Sequence, residues 1–427
     1  MKFRRALPLL LSLALLGGCA TALVQPQERV VRPLPVPQGS LPPVGELICT
    51  AEGALDGYQT FAVELLRRSL AEGENTLVSP LSVALALGMT ANGAAEETLA
   101  EFESLFGLSR DALNSLCARF LADYAKLGGS TQATVVNSLW ADPDMALANG
   151  FVLRCQETYG AELFQEDLQE PGTVEAVNRW VKEATRGLIP QVVEKFDPDA
   201  VLALVNAVYL KNMFARPFET PHSDWEMDFT AGDGTVSHPK GMVNGVRREE
   251  YIFSEDGQGV ILPYDDGRLG LLMMLPREGM TLSDYLAGWD GSTVSSLLAV
   301  REDRLVSLTC PKFKAEWEGS LRSSLSAMGL EGAFDPERAD FSAMGSVPDR
   351  PESNICIGDV VHKTVFEFNE KGTEAAAVTA VEMMAPTSAP PPEDLVYLRF
   401  DRPFVYGIVD LELGVPLFLG CAEEVKN

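Results

Sequence analysis

Residues 370–384 read EKGTEAAAVTAVEMM, and residues 385–393 continue as APTSAPPPE. The stretch continues a good strand, yet its side chains are too small to fill a core. Side chains alternate across an extended chain. Thr373, Ala375, Ala377, Thr379 and Val381 therefore share one face, on which nothing is charged or large. The other face carries Glu374, Ala376, Val378, Ala380 and Glu382, so both charges lie on the side that faces water. This is the binary pattern of a strand with one buried face. Its small residues would let it slip between strands already packed over a core, and Gly372 is a natural pivot. An Ala-rich helix is the competing reading, because Ala is the best helix former. Against it, Thr373, Val378, Thr379 and Val381 are β-branched, and helical spacing leaves no clean apolar stripe.

The rest of the chain gives this segment a large body to belong to. It has 427 residues, 46% hydrophobic and 22% charged, which is globular in composition. A prior of roughly 150 residues per domain suggests two or three domains. No internal linker supports such a cut. The formal net charge of −27, with three His, argues against nucleic acid and anionic membrane surfaces as partners. Lys2, Arg4 and Arg5 precede an apolar run from Leu7 to Leu16, too short to span a bilayer and shaped for export. The run ends in LGGC, and Cys19 resembles the lipidated first residue of a bacterial lipoprotein. Cleavage after ATA, Ala20 to Ala22, fits as well. The expected organisation is a signal peptide at 1–18, a lipidated N-terminus and Pro-rich spacer at 19–50, and one domain at 51–427. The six other Cys (Cys49, Cys117, Cys155, Cys310, Cys356 and Cys421) lack the spacing of a metal site or a disulfide framework, and read as small core hydrophobes.

Helical patterns gather early. Phe61, Leu65, Leu66 and Leu70 share one face, with Gly73 closing the segment. NTLVSPLSV reads as a short strand followed by a helix capped at Ser79 with Pro80 in its first turn. TVEAVNRWVKEATRGLIPQVVEKF is an amphipathic helix that Gly187 and Pro190 bring to an end. Strand patterns dominate later: VLALVNAVYLK, QGVILPY, RLGLLMMLP, HKTVFEFNE, FVYGIVDL and PLFLGCAEEV, bounded by turn residues. Helices first and strands later predict an α+β fold with mostly antiparallel sheets. The second half lacks the strand–helix alternation that a two-lobed solute-binding lipoprotein would need.

Motifs for catalysis are missing. There is no G-x-S-x-G elbow, H-E-x-x-H pair, P-loop or Gly-rich dinucleotide turn. His222 and His238 lie in polar turns. Only His362 sits in a strand, where a lone His is most simply a satisfied structural group. Ser79 or Ser82 with His362 would make a nucleophile and base on paper, but capping already explains the serines. No enzyme, cofactor or metal is expected.

Six motifs in order resemble one family. NTLVSPLSV is similar to the Asn-x-x-x-Ser-Pro-x-Ser helix start of the serpins, VNRWVKEATRGLI to their Asn-x-Trp-Val helix, and LVNAVYLKNMFARPF to their Asn-Ala strand. PKFKAEWEGSLRSSLSAMGLEGAFDPERADFSAM resembles the strand, helix and acidic turn before the hinge. HKTVFEFNEKGTEAAAVTAV resembles the hinge, and RPFVYGIVD with PLFLG the closing strands. The resemblance runs from about Leu55 to the C-terminus. It implies three β-sheets with eight or nine helices and an exposed reactive loop after Glu370.

The activity implied is suicide inhibition of a serine protease. The protease acylates itself on the loop, which then inserts as a new central strand of the largest sheet. By the same resemblance Glu370, Gly372, Thr373, Glu374, Ala375, Ala376 and Ala377 form the hinge. Lys312 pairs with Glu370 at the breach, where insertion starts. Ser79, Ser82, Asn206 and His362 form the polar shutter between the central strands. Phe214 stands where a Trp is usual and is expected to loosen the breach; Leu188 replaces a common Lys. The loop is several residues longer than in familiar members. The usual spacing points at Pro386, a poor residue beside a cleaved bond, so Met384–Ala385 is the expected scissile bond. Met383–Met384 and Thr387–Ser388 are the alternatives. No Lys or Arg occurs between Lys371 and Arg399, which favours an elastase-, chymotrypsin- or subtilisin-type target. The implied molecule is a monomer, exported to a bacterial cell surface, whose membrane contact is its lipid anchor. A serpin-fold protein that binds or stores without inhibiting is the alternative.

Overall fold

Residues 31–35, 51–187, 189–218, 225–349, 354–373 and 394–426 are described by the structure, a computed structural model. Helices form along the early apolar periodicity, and those that follow Ser79 and Ser109 start at serine caps. α1 (Ala51–Ser69) buries Tyr58, Phe61, Ala62, Leu65 and Leu66 on one stripe. The short β1 (Thr76–Val78) leads into α2 (Pro80–Ala91), whose Ser79 side chain accepts the Ser82 N–H at 3.2 Å. α2 is apolar on nearly every side and runs through the core. α3 (Glu96–Phe106), α4 (Arg110–Tyr124), β2 (Gln132–Ala141), β3 (Ala146–Leu147), α5 (Asn149–Tyr159), β4 (Glu162–Gln165) and α6 (Pro171–Ala184) complete the first half. α6 stops at Ala184, three residues short of Gly187, with the Thr185 hydroxyl turned back onto the Val181 carbonyl.

Strands then dominate: β5 (Leu202–Met213), β6 (Phe229–Thr230), β7 (Val236–Ser237), β8 (Gly241–Phe253), β9 (Gly257–Pro263) and β10 (Leu269–Pro276). After α7 (Leu282–Ala287) and α8 (Thr293–Ala299) come β11 (Glu302–Pro311), β12 (Phe313–Ser320), α9 (Arg322–Ala327), β13 (Gly345–Ser346) and β14 (Val361–Asn369). The chain closes with β15 (Gly372–Thr373), β16 (Val396–Arg399), β17 (Phe404–Asp410) and β18 (Val415–Ala422).

The main sheet has the order β12-β14-β15-β5-β2-β4. β2 with β5 and β12 with β14 form unbroken antiparallel ladders, from Gln132↔Lys211 to Ala141↔Leu202 and from Phe313↔Phe368 to Ser320↔Val361, and β4 joins the edge parallel to β2. The second and third sheets run into one another, as β1-β18-β17-β10-β9-β8-β11-β16. The long β8 belongs to both, pairing with β11 along most of its length and with β9 only over its last residues. Two two-stranded sheets, β13 with β3 and β6 with β7, complete the pairing. With nine α-helices among the described residues, this is the expected three-sheet α+β architecture.

Alternation sets what the main sheet covers. Leu204, Val208 and Leu210 of β5 face the large core beneath α1 and α2, while Val205 and Ala207 face α6 with Trp140, Phe164, Val177 and Val181. Cys117, Cys155, Cys310 and Cys421 are buried free thiols, and Cys356 is a half-buried one. Burial pushes the Cys117 thiol up to about 12. No described helix is long and apolar enough to cross a membrane.

Candidate functional site

Among the described residues, the central strands β5 and β14 are joined at one end only. There β15 sits between them, with Thr373 opposite Phe368 and Asn212, and Gly372 opposite Asn369 and Met213. Gly372 has φ 151°, and a Cβ on it would lie 2.1 Å from the Asn212 carbonyl oxygen, so only glycine fits this entry. Beyond Thr373 no ladder joins β5 to β14 among the described residues. A cleft opens instead, lined by Val208 and Leu210 from one strand and Val365 and Phe366 from the other. Ile408 and Phe418 line it from the second sheet, and Thr185 and Ile189 from the segment after α6.

The head of this slot is pinned from several sides. Lys312 forms an ion pair with Glu370, both side chains being about four-fifths covered. The Phe218 N–H donates to the Glu370 carbonyl and the Phe214 N–H to the Lys371 carbonyl, each at 2.8 Å. Phe214 stacks on Tyr264 at 5.3 Å and meets Phe218 and Phe368 edge-on at about 6 Å. Three neighbouring rings thus pack around Phe214. Thr373 is 3% exposed, and its hydroxyl lies 2.5 Å from that of Tyr264.

Farther along the slot the chemistry is polar. The Ser79 N–H donates to His362 Nε2 at 3.0 Å, and the Ser79 hydroxyl donates to the Leu417 carbonyl at 3.0 Å. The Ser82 hydroxyl donates to Asn206 Oδ1; Asn206 in turn donates to Asn137 at 2.7 Å, and Asn137 to the Tyr159 carbonyl at 2.7 Å. His362 on β14 and Asn206 on β5 are thus each tied to the start of α2, and no hydrogen bond joins them to each other. Burial holds the His362 pKa down to about 4, so the ring is neutral, with its proton on Nδ1. Its Nε2 lone pair is committed to a backbone N–H. It cannot deprotonate either serine, so the group is not a nucleophile–base pair.

Residues 56–424 match the family model described as Serpin (serine protease inhibitor). The chain is a serpin. An uncharacterised serpin-like protein of Thermococcus kodakarensis is 30% identical over 96% of each chain. A putative serpin-Z5 of Oryza sativa subsp. japonica is 34% identical, over 85% of this chain and 88% of its own. The solved thermophilic serpin tengpin in its native state superposes with a TM-score of 0.79 at 31% identity, covering 87% of this chain and 94% of its own. Serpins are in general inhibitors that act on serine proteases rather than catalysts.

The fold brings together the residues that the serpin resemblance singled out. Lys312, Glu370, Phe214, Gly372 and Thr373 meet at the head of the slot, and Ser79, Ser82, Asn206 and His362 meet farther along it. The rest of the expected hinge (Glu374, Ala375, Ala376 and Ala377) lies outside the described residues. So do the expected reactive bonds at Met383, Met384, Ala385, Thr387 and Ser388, together with Leu188 and Cys19. The sequence reading missed Asn137, which extends the polar chain, and Tyr264, which holds Thr373. Asn137 carries no local signal: it is one of several polar residues in the strand, beside Ser138, and nothing local marks it out. Tyr264 ends an apolar run just before the Asp265–Gly267 turn, where an aromatic reads as ordinary core.

Proposed function

We propose that this serpin is a suicide-substrate inhibitor of serine proteases with an apolar specificity pocket, of elastase, chymotrypsin or subtilisin type. The slot between β5 and β14 carries this reading: a third strand has begun at Gly372–Thr373, and the two flanking strands beyond it lack a ladder to each other. The protease serine attacks the Met384 carbonyl, the Ala385 amine leaves, and an acyl ester joins the two proteins. The freed loop then continues β15 into the slot, a known case of strand addition. Carrying the registers of Thr373 onward gives one answer from both sides. Ala375 falls opposite Phe366 and Leu210, Ala377 opposite Thr364 and Val208, and Thr379 opposite His362 and Asn206. Small residues thus meet the apolar part of the slot, and a hydroxyl meets the polar pair. Insertion carries the acylated protease away from its starting position before water resolves the ester, and distorts its oxyanion hole.

Incubation with subtilisin, elastase, chymotrypsin and trypsin tests the reading. An SDS-stable complex is expected with the first three, releasing a C-terminal peptide that begins at Ala385 by mass spectrometry. Complete cleavage without a complex in every case would overturn it. We also propose export to a bacterial surface through a lipid on Cys19. Cys19→Ala is expected to shift the protein from the detergent phase to the aqueous phase.

A further inference from the structure

The hydroxyl pair at the head of the slot rests on an unusually complete set of supports. Tyr264 is 1% exposed, and its ring is held flat against Phe214, with 4° between the planes. Its turn is tethered from the other side. Asp266 accepts the Arg268 and Leu269 N–H groups at 2.7 Å, the Thr131 hydroxyl at 2.7 Å and the Asn212 amide at 2.5 Å. Asn212 is also the register partner of Thr373. The Tyr264 hydroxyl is therefore aimed at one point, and the Thr373 hydroxyl occupies it. Burial keeps the Tyr264 phenol protonated far above its usual range, so the pair remains a neutral hydrogen bond.

We propose that Tyr264 is a positioning residue for the trapping step: its hydroxyl keeps the first hinge residue, Thr373, seated between β5 and β14 before cleavage, so that the cleaved loop starts from a strand already begun and partitions toward insertion over hydrolysis. The inference rests on the inhibitory reading above and adds a residue to it. A Thr373 outside the slot has water for its hydroxyl, whereas a Thr373 inside has Tyr264. A buried hydroxyl whose partner is deleted bears its full desolvation penalty, while deleting both partners is close to neutral. The bond thus favours a seated Thr373 over an expelled one, at the point where insertion begins. The partition between complex and cleaved, released inhibitor reads this bias, independently of how fast the acyl ester forms.

The test compares that partition for the wild type, Tyr264→Phe, Thr373→Val, the double variant and Thr373→Ser. Tyr264→Phe keeps the ring stack, and Thr373→Val keeps the β-branched shape. Each single variant is expected to raise the ratio of cleaved inhibitor to complex by roughly two- to tenfold. The double variant is expected to do no worse than either single, and Thr373→Ser to stay near the wild type. Single variants with the wild-type ratio, or losses that multiply in the double variant, would overturn the assignment. A wild type that forms no complex would remove the inhibitory reading, and this inference with it.

Discussion

The two ends of the β5–β14 pair are built from different materials. At the head, four aromatic rings, one ion pair and two backbone hydrogen bonds surround a third strand already in place. Farther along, a chain of serine, asparagine and histidine side chains anchors each strand separately to α2, and among the described residues no third strand lies between them. The head is finished and the rest is provisional. A sheet whose central strands bond to a helix start instead of to each other leaves backbone donors and acceptors without the ladder that a sheet interior normally supplies. A strand arriving from the head would complete that ladder, and the small face of residues 373–381 is suited to doing so.

The contrast is broken most sharply by a charge at the head. Thr373→Arg places a guanidinium where Thr373 is fully packed, at a cost of several kcal/mol for a buried unpaired charge. Inhibition is expected to disappear and cleavage to persist, which a gel with substoichiometric protease reads directly.

The polar half is sharpened by pH. His362 is neutral in the fold, with its pKa held down to about 4, against roughly 6.5 in an unfolded chain. Between those values the unfolded chain binds more protons, so stability rises with pH across the window. The contribution is complete above about pH 6.5 and is lost as the pH falls toward 4. Going from pH 7 to pH 5 is expected to cost about 2 kcal/mol through this group. Parallel denaturant curves for the wild type and His362→Gln check it, the variant lacking this part of the loss.

The smallest effect belongs to the ion pair. Lys312 and Glu370 are both partly solvated, so Lys312→Met is expected to change stability by about 1 kcal/mol or less. Adding salt should weaken the wild type more than the variant. A much larger loss in the melting midpoint would mean that the head depends on charge rather than on its aromatic packing.

How much of this was legible follows from where the physics is local. The strands on either side of the slot announced themselves by apolar runs and alternation, and the start of α2 by Ser79-Pro80. Alternation also marked residues 373–381 as a strand with a small face, and the Thr373 end of that reading sits in a sheet. β8 was not read as a strand. Its Arg247-Arg248-Glu249-Glu250 run looks like a solvated loop, yet Glu249 is 2% exposed. Arg216, Arg247 and Asn244 from around it satisfy that carboxylate, and no local pattern encodes such partners. Tyr264 and Asn137 escaped for the same reason: their partners, Thr373 and Asn206, lie far away in sequence. The joining of the second and third sheets through β8 likewise depends on register, which periodicity does not specify.

Hydrogen exchange on the intact chain and on the chain cut within residues 374–393 tests the slot most directly. The account predicts that amides of β5 (202–213) and β14 (361–369) gain strong protection after cleavage, with a higher melting temperature. Unchanged exchange in both strands after complete cleavage would contradict it.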